Sequence, residues 1–88
     1  MLVKASLTNL TTLALTSNSI SDISALSGLT SLRNLNLNNN RNLTDIQPLL
    51  DNAGLGVGDT VHLQSTSVSC TDVAALQAKG VTVLSDCP

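Results

Sequence analysis

The chain contains no phenylalanine, tyrosine or tryptophan, and only 11% of its 88 residues are charged. An ordinary globular domain has about 25% charged residues. The missing charge is replaced by serine, threonine and asparagine. Tyr and Trp are the usual anchors of tight protein interfaces, so any binding surface here must rely on polar and aliphatic side chains.

Positive charge is also scarce, because Lys4, Arg33, Arg41 and Lys79 are the only cationic side chains and the net charge is −2. A nucleic-acid-binding domain normally carries a basic stripe, and none is present. No run of 18 apolar residues exists, which argues against a membrane-spanning helix. Met1-Leu-Val-Lys lacks the apolar core of a signal peptide. At this length the chain is one domain at most.

The sequence contains a repeated pattern: two apolar residues, followed by a residue at which the chain is expected to turn a corner. It is found as Leu13, Leu15 and Asn18, returns 22 residues later as Leu35, Leu37 and Asn40, and recurs more loosely as Val61, Leu63 and Thr66. A fourth copy is predicted to begin at Val81 and Val83. Self-similarity with a period in the twenties indicates a solenoid, in which successive coils stack and share one core.

Each coil is predicted to contain a short strand and a return segment. Leu13 and Leu15 alternate with small polar neighbours, as in a strand with one buried face. Leu26, Leu29 and Leu32 recur every third residue, which suits a 3₁₀ segment. The last return differs, since Ser69-Cys-Thr-Asp72 is predicted to open a helix over 72–79 that Gly80 ends. The predicted class is therefore α/β.

The segment from Leu10 to Leu26, Leu-x-x-Leu-x-Leu-x-x-Asn-x-Ile-x-x-Ile-x-x-Leu, resembles a 22-residue leucine-rich repeat. Residues 20–26 are similar to the bacterial internalin-type class, and residues 72–87 resemble a C-terminal repeat of bacterial members. The resemblance implies a short right-handed solenoid with a small parallel sheet on its concave side and short 3₁₀ or α-helical return segments. It also implies a protein-binding role.

The repeat pattern predicts a single domain over 1–88. Its predicted parts are a partial repeat at 1–12, full repeats at 13–34 and 35–60, and a C-terminal repeat with cap at 61–88. Leu7 and Leu10 match Leu29 and Leu32, but Lys4 stands where a leucine is expected. The chain is therefore expected to begin within a repeat and to present an open, apolar N-terminal edge. Such an edge invites pairing with another chain.

Cys70 and Cys87 fall just past the third and fourth predicted strands. Neighbouring strands lie about 4.8 Å apart, which can bring these positions within bonding range. We predict a disulfide between them, and the alternative is two separate buried thiols. A disulfide would place the parent protein in an oxidising compartment, extracellular or at the cell surface. Two cysteines and one distant histidine are too few for a zinc site.

The candidate binding residues are the polar side chains that alternate with the buried ones along the strands. They are Thr12, Ala14, Thr16, Asn34, Asn36, Asn38, Thr60, His62 and Gln64. This surface is nearly uncharged. Three interpretations stay open: a solvated surface that binds nothing tightly, a protein or peptide site, and a glycan site that uses the amides.

Asn18, Asn40 and Thr66 occupy the corner position of successive repeats. A buried amide there can satisfy backbone groups that a tight corner leaves unpaired. Asp22, Asp45 and Asp72 each precede an inward Ile or Val and are interpreted as caps of the return segments. The alternative for these aspartates, a cation-binding strip, lacks the number of ligands that calcium requires.

A catalytic site is not indicated. His62 and Cys70 could be imagined as base and nucleophile, but no third residue would orient the histidine. Gly54, Gly56 and Gly58 lack the lysine and hydroxyl of a phosphate loop. We therefore predict a non-catalytic, cofactor-free interaction module from a larger bacterial surface or secreted protein. The alternative is a structural or engineered fragment that forms homo-oligomers through its N-terminal edge.

Overall fold

The computed structural model of the protein describes residues 10–87, in which strands alternate with short return segments. In chain order the elements are β1 (Thr12–Ala14), a 3₁₀ segment (Ser24–Gly28), β2 (Asn34–Asn36), α1 (Gln47–Leu50), β3 (Thr60–Leu63), α2 (Cys70–Ala78) and β4 (Thr82–Ser85). This confirms the predicted α/β solenoid with short 3₁₀ and α-helical returns. The expectations about Lys4, Leu7 and an open N-terminal edge concern residues 1–9 and lie outside the described part.

The strands form one parallel sheet in the order β1-β2-β3-β4. Leu13 pairs with Leu35, and Leu35 pairs with Val61, which is the correspondence that the repeat pattern predicts. A parallel pair needs a crossover connection between its strands. The return segments supply these crossovers, so each coil places one strand beside the strand of the coil before it.

The predicted register of the last strand is wrong. The sequence pattern matched Val81 and Val83 to Val61 and Leu63, whereas in the sheet Val83 pairs with Val61 and Ser85 with Leu63. Val81 instead precedes the strand and is buried, with 3% of its surface exposed. Alternation has a period of two residues, so a shift by two leaves the inward and outward positions unchanged and cannot be detected from the pattern.

Aliphatic side chains fill the space between the sheet and the return segments. The buried set is Ile20, Ile23, Leu26, Leu29, Leu32, Leu35, Leu37, Leu43, Ile46, Leu49, Leu55, Val61, Leu63, Val73, Leu76 and Val81. Leu13 and Leu15 of the first described coil are partly buried and pack against this core. Each fully buried leucine stabilises the fold by about 1.5–3 kcal/mol. The core is thus continuous from coil to coil.

A side-chain oxygen accepts a backbone N–H hydrogen bond at the start of each return segment, though not always from the predicted residue. The carboxylates of Asp22 and Asp45 accept hydrogen bonds from the N–H groups of Ser24 and Gln47, both at 2.9 Å. The bond from the backbone N–H of Ser24 lowers the pKa of the exposed Asp22 below its usual value.

The capping prediction is wrong for Asp72, as is the predicted start of the helix at that residue. Helix α2 starts earlier, at Cys70, and ends at Ala78. The hydroxyl of Ser69 accepts a hydrogen bond from the Asp72 N–H at 3.2 Å. Serine is a preferred N-cap residue, so the cap is Ser69 and Asp72 lies inside the first turn.

A buried amide that the sequence analysis did not single out joins the first two returns. The Nδ2 group of Asn52 donates to the carbonyl oxygens of Leu26, at 2.9 Å, and Leu29, at 3.0 Å. Its Oδ1 atom accepts from the Gly54 N–H at 2.9 Å. In the next coil the Lys79 ammonium donates to the carbonyl oxygens of Leu50 and Asn52, at 2.8 and 3.0 Å. These bonds tie three successive coils together.

Gly54→Ala should destabilise the protein, because a methyl group at this position would overlap the backbone carbonyl of Thr30. Overpacking against an atom that cannot rotate away costs about 1–3 kcal/mol. Thermal and urea unfolding would measure it. Gly28→Ala is the matched control, since its methyl would meet nothing within 4 Å. Equal melting temperatures for the two variants would contradict the close packing of Gly54 against the Thr30 backbone.

Candidate functional site

The predicted binding residues lie on the side of the sheet opposite the core. Thr12, Asn34 and Thr60 form one row in register. Ala14, Asn36 and His62 form the next row. All of these side chains are exposed or half-exposed, whereas the residues between them, such as Leu35 and Val61, are buried.

A third row continues past the ends of the strands. Thr16, Asn38 and Gln64 lie in the turns that follow β1, β2 and β3. Backbone pairing extends there, since the Ser17 N–H donates to the Asn38 carbonyl at 3.0 Å and the Asn39 N–H to the Gln64 carbonyl at 2.9 Å. The structure thus places every candidate binding residue on one surface.

Strand β4 adds residues that the sequence analysis did not include among the candidates. Thr82 pairs with Thr60 and Leu84 with His62, and both belong to the same surface. Asp86 follows in the third row, next to Gln64 in the continued register. The 22-residue spacing from Thr60 to Thr82 was the signal that could have identified them. We call the three rows from β1 to β4 the exposed sheet face.

An ordered network of amides runs across the middle of the exposed sheet face. The Oδ1 atom of Asn36 accepts from the Asn38 N–H at 3.0 Å. The Oδ1 atom of Asn38 accepts from the Gln64 N–H at 2.7 Å, and its Nδ2 group approaches the Gln64 Oε1 atom at 3.4 Å. The side chains of Asn36 and Asn38 are each held by a backbone donor, so the face presents these two amides in defined orientations.

The side chains at the three corner positions differ in the number of hydrogen bonds that they make to the backbone. Asn40 is fully buried, and its Nδ2 group donates to the carbonyl oxygens of Leu15 and Leu37, both at 2.9 Å. Its Oδ1 atom accepts from the N–H groups of Asn18 and Ile20 at 3.0 and 2.9 Å. Its Nδ2 group also approaches the Asn38 carbonyl at 3.3 Å, so the amide bonds to five backbone groups of two coils.

The other corner residues make fewer bonds within residues 10–87. Asn18 is exposed, and its side chain donates to the Thr16 carbonyl at 3.1 Å. Thr66 donates through its hydroxyl to the Leu63 carbonyl at 2.8 Å. That bond corresponds to the one from Asn40 to Leu37, so threonine reproduces one part of the asparagine corner.

Cys70 and Cys87 are joined by a disulfide, with their Cα atoms 5.6 Å apart. This confirms the predicted pairing and overturns the alternative of separate thiols. It also removes Cys70 as a nucleophile for the imagined pair with His62. Within residues 10–87, no group of three or more His, Cys, Asp or Glu side chains is placed to hold a metal ion. No helix in the same range has the length and apolar character to cross a membrane.

Comparison with known proteins identifies the repeats. Residues 8–51 match the family model described as leucine rich repeats, in two copies. The chain belongs to the leucine-rich-repeat family. No curated protein and no solved structure matches it. Leucine-rich repeats generally mediate protein–protein interaction, and domains built from them are typically non-catalytic binding modules.

The leucine-rich-repeat architecture extends beyond the matched residues. Strands β3 and β4 lie after residue 51, yet they continue the parallel sheet in register with β2. The core continues with them through Val61, Leu63, Val73 and Leu76. The exposed sheet face therefore spans both the matched repeats and the coils that follow.

Proposed function

We propose that this leucine-rich-repeat domain is a non-catalytic protein-binding module whose contact surface is the exposed sheet face. It would serve as part of a larger bacterial surface or secreted protein. The observation that carries the proposal is the pair of ordered amides at the centre of that face, Asn36 and Asn38, whose side-chain oxygens accept hydrogen bonds from the backbone N–H groups of Asn38 and Gln64. Side chains that are already fixed lose little conformational entropy when a partner binds, which favours association.

The disulfide supports the proposed location. Bonds of this kind persist in secreted and cell-surface proteins and are rare in the reducing cytosol. The bacterial assignment is supported by the similarity of residues 20–26 to internalin-type repeats and of residues 72–87 to a bacterial C-terminal repeat. Self-association through the N-terminal edge stays a prediction, because it concerns residues 1–9.

Selection of peptides from a displayed random library of about twelve-residue segments tests the binding surface. An arginine in place of Ala14, which is exposed in β1, would cover the middle row with a long charged side chain. We expect selected peptides to bind Ala14→Arg at least about tenfold more weakly than wild type, a loss of about 1.4 kcal/mol.

Ala25→Arg is the matched control, because Ala25 is also exposed but lies in the 3₁₀ segment of a return. Peptides should bind this variant as they bind wild type. Thermal unfolding would show that both variants remain folded. Selected peptides that keep full affinity for Ala14→Arg and lose it for Ala25→Arg would move the binding surface to the returns. A library that yields no binder would favour the solvated-surface interpretation.

A further inference from the structure

Strand β4 is the last strand of the sheet within residues 10–87, and its outer edge is not paired with another strand of that range. In a parallel pair, residues whose N–H and carbonyl groups face the neighbouring strand alternate with residues whose groups face away. The Thr82 N–H donates to the Asp59 carbonyl at 2.9 Å, so Thr82 and Leu84 face β3. The backbone groups of Val83 and the N–H of Ser85 therefore point away from β3, toward the position of a further strand.

A groove of about 320 Å³ lies between β4 and α2. Its lining includes Val83, Leu84 and Ser85, whose side chains lie on alternate faces of the strand. The groove therefore passes over the outer edge of β4, because the inner edge is paired with β3. Val73 and Ala74 line it on the side of α2. Of the described residues that line the groove, none is charged.

The corresponding edge of β3 shows what such an edge accepts. There β4 lies beside β3 as a parallel strand, and Val83 pairs with Val61. Val61 is fully buried, whereas Val83 is only partly buried, because no strand within residues 10–87 lies beside it on the outer edge. Leu84, on the opposite face of β4, is 43% exposed. An added strand would bury apolar surface on both faces of β4, which is favourable.

Strand β4 lacks the features that usually protect an exposed sheet edge. Natural proteins place charged side chains, proline or a bulge on such edges. Residues Thr82–Ser85 are uncharged, contain no proline and pair one to one with β3. Asp86 follows the strand, and its carboxylate accepts a hydrogen bond from the Ser65 N–H at 2.7 Å. The edge is thus open to pairing.

We infer that the outer edge of β4 binds an extended, uncharged segment of a partner protein, which joins the sheet as a further strand. Hydrogen bonds to the backbone of Val83 and Ser85 hold the segment, and an aliphatic side chain enters the groove beside Ala74. In strand addition, main-chain bonds supply affinity and pockets for alternate side chains supply specificity. A charged side chain would lose its hydration in this groove. The inference goes beyond the proposed function, because this surface is the edge of the sheet and not its exposed face.

A blocked synthetic peptide with the sequence of residues 80–85, flanked by a lysine at each end for solubility, tests the inference. It contains the strand that occupies the corresponding edge of β3. Binding should slow hydrogen exchange of the Val83 and Ser85 amides at least about tenfold, because these amides gain hydrogen bonds. The Thr82 and Leu84 amides should change much less, since they already face β3. The same peptide with proline in place of both valines should not bind, because proline cannot donate to the added ladder.

Two variants of α2 form a matched pair for the same peptide. Ala74 and Ala75 are both exposed in this helix, and of the two only Ala74 lines the groove. Ala74→Arg should weaken binding at least about tenfold, whereas Ala75→Arg should change it by less than about twofold. Ala14→Arg, in β1 at the other end of the described sheet, should bind the peptide as wild type does. Thermal unfolding would show that the variants remain folded.

Equal protection of all four β4 amides on addition of the peptide would overturn the inference, as would no protection of any. Equal affinity of the peptide for Ala74→Arg and Ala75→Arg would also overturn it. Protection of Val83 and Ser85 that appears without peptide and rises with protein concentration would make a second copy of this chain the occupant, against the inference. Loss of peptide binding in Ala14→Arg would move the peptide to the exposed sheet face.

Discussion

Replacing Asn40 with alanine should lower the free energy of unfolding by at least about 3 kcal/mol. The change removes the buried amide that bonds to the carbonyl oxygens of Leu15 and Leu37 and to the N–H groups of Asn18 and Ile20. Each buried backbone group left without a partner costs about 1–3 kcal/mol. In a domain of this size, a loss of 3 kcal/mol lowers the melting temperature by about 12–24 °C.

Asn42→Ala is the control for the Asn40 prediction. Asn42 is exposed in the same turn, and surface substitutions of this kind usually change stability by less than about 0.5 kcal/mol. Asn40→Asp should also be unstable, because a carboxylate cannot donate to the two carbonyl groups and would be a buried charge. Calorimetry of the three variants measures these effects. An unchanged melt for Asn40→Ala would show that the corner amide does not hold the coils together.

The repeat pattern was sufficient to predict the fold because the same chemistry returns at a constant interval. Leu13 and Leu35 can only share a core if their coils stack, and the sheet register shows that they do. The corner amide could be predicted for the same reason, since Asn18 and Asn40 are 22 residues apart. Where the interval changed, between Leu37 and Leu63, the match of apolar residues still identified the next strand.

The last strand could not be placed from the pattern alone. Val81-Thr-Val83 alternates apolar and polar residues as a strand should, whereas Val83-Leu-Ser85 does not, so the pattern favours the earlier segment. Gly80 follows α2 with a φ of 97° and Val81 then enters the core. Strand pairing begins one residue later, at Thr82. The exact path of the chain out of the helix was needed to find the register.

Asn52 and Lys79 were missed because their partners are distant in sequence. The amide of Asn52 bonds to the Leu26 carbonyl, and the ammonium of Lys79 bonds to the Leu50 carbonyl. Nothing adjacent to Asn52 distinguishes it from the many other asparagines of this chain. Its burial follows from the stacking of the returns, which the sequence predicts only in outline.

The sequence predicts which residues lie on the exposed sheet face, but it does not predict how their amide groups are oriented. Alternation alone places Asn36, Asn38 and Gln64 on the outward side. The orientations of the Asn36 and Asn38 amides depend on the positions of the backbone N–H groups of Asn38 and Gln64. These positions are set by the turns after β2 and β3, where Asn39 and Ser65 adopt φ values of 64° and 57°.

Replacing both Cys70 and Cys87 with serine should lower the free energy of unfolding by about 3 kcal/mol. The disulfide closes a loop with a sequence separation of 17 residues, and crosslinking a loop of about this length restricts the unfolded chain by about 3 kcal/mol. The first and last elements of that loop are α2 and β4. We therefore expect their amides to lose protection from hydrogen exchange first, while the amides of β2 retain most of theirs.

A reducing agent provides the matched control for this variant. Wild type in a strong thiol reductant should unfold at the lower temperature of the double serine variant, and the variant itself should not respond to the reductant. The melting temperature is expected to fall by about 12–24 °C in both cases. If the double serine variant has the same melting temperature as the disulfide-bonded wild type, packing of Val73, Leu76 and Val81 is sufficient to hold the last coil. A uniform loss of protection across all strands would instead show that the solenoid unfolds as one cooperative unit.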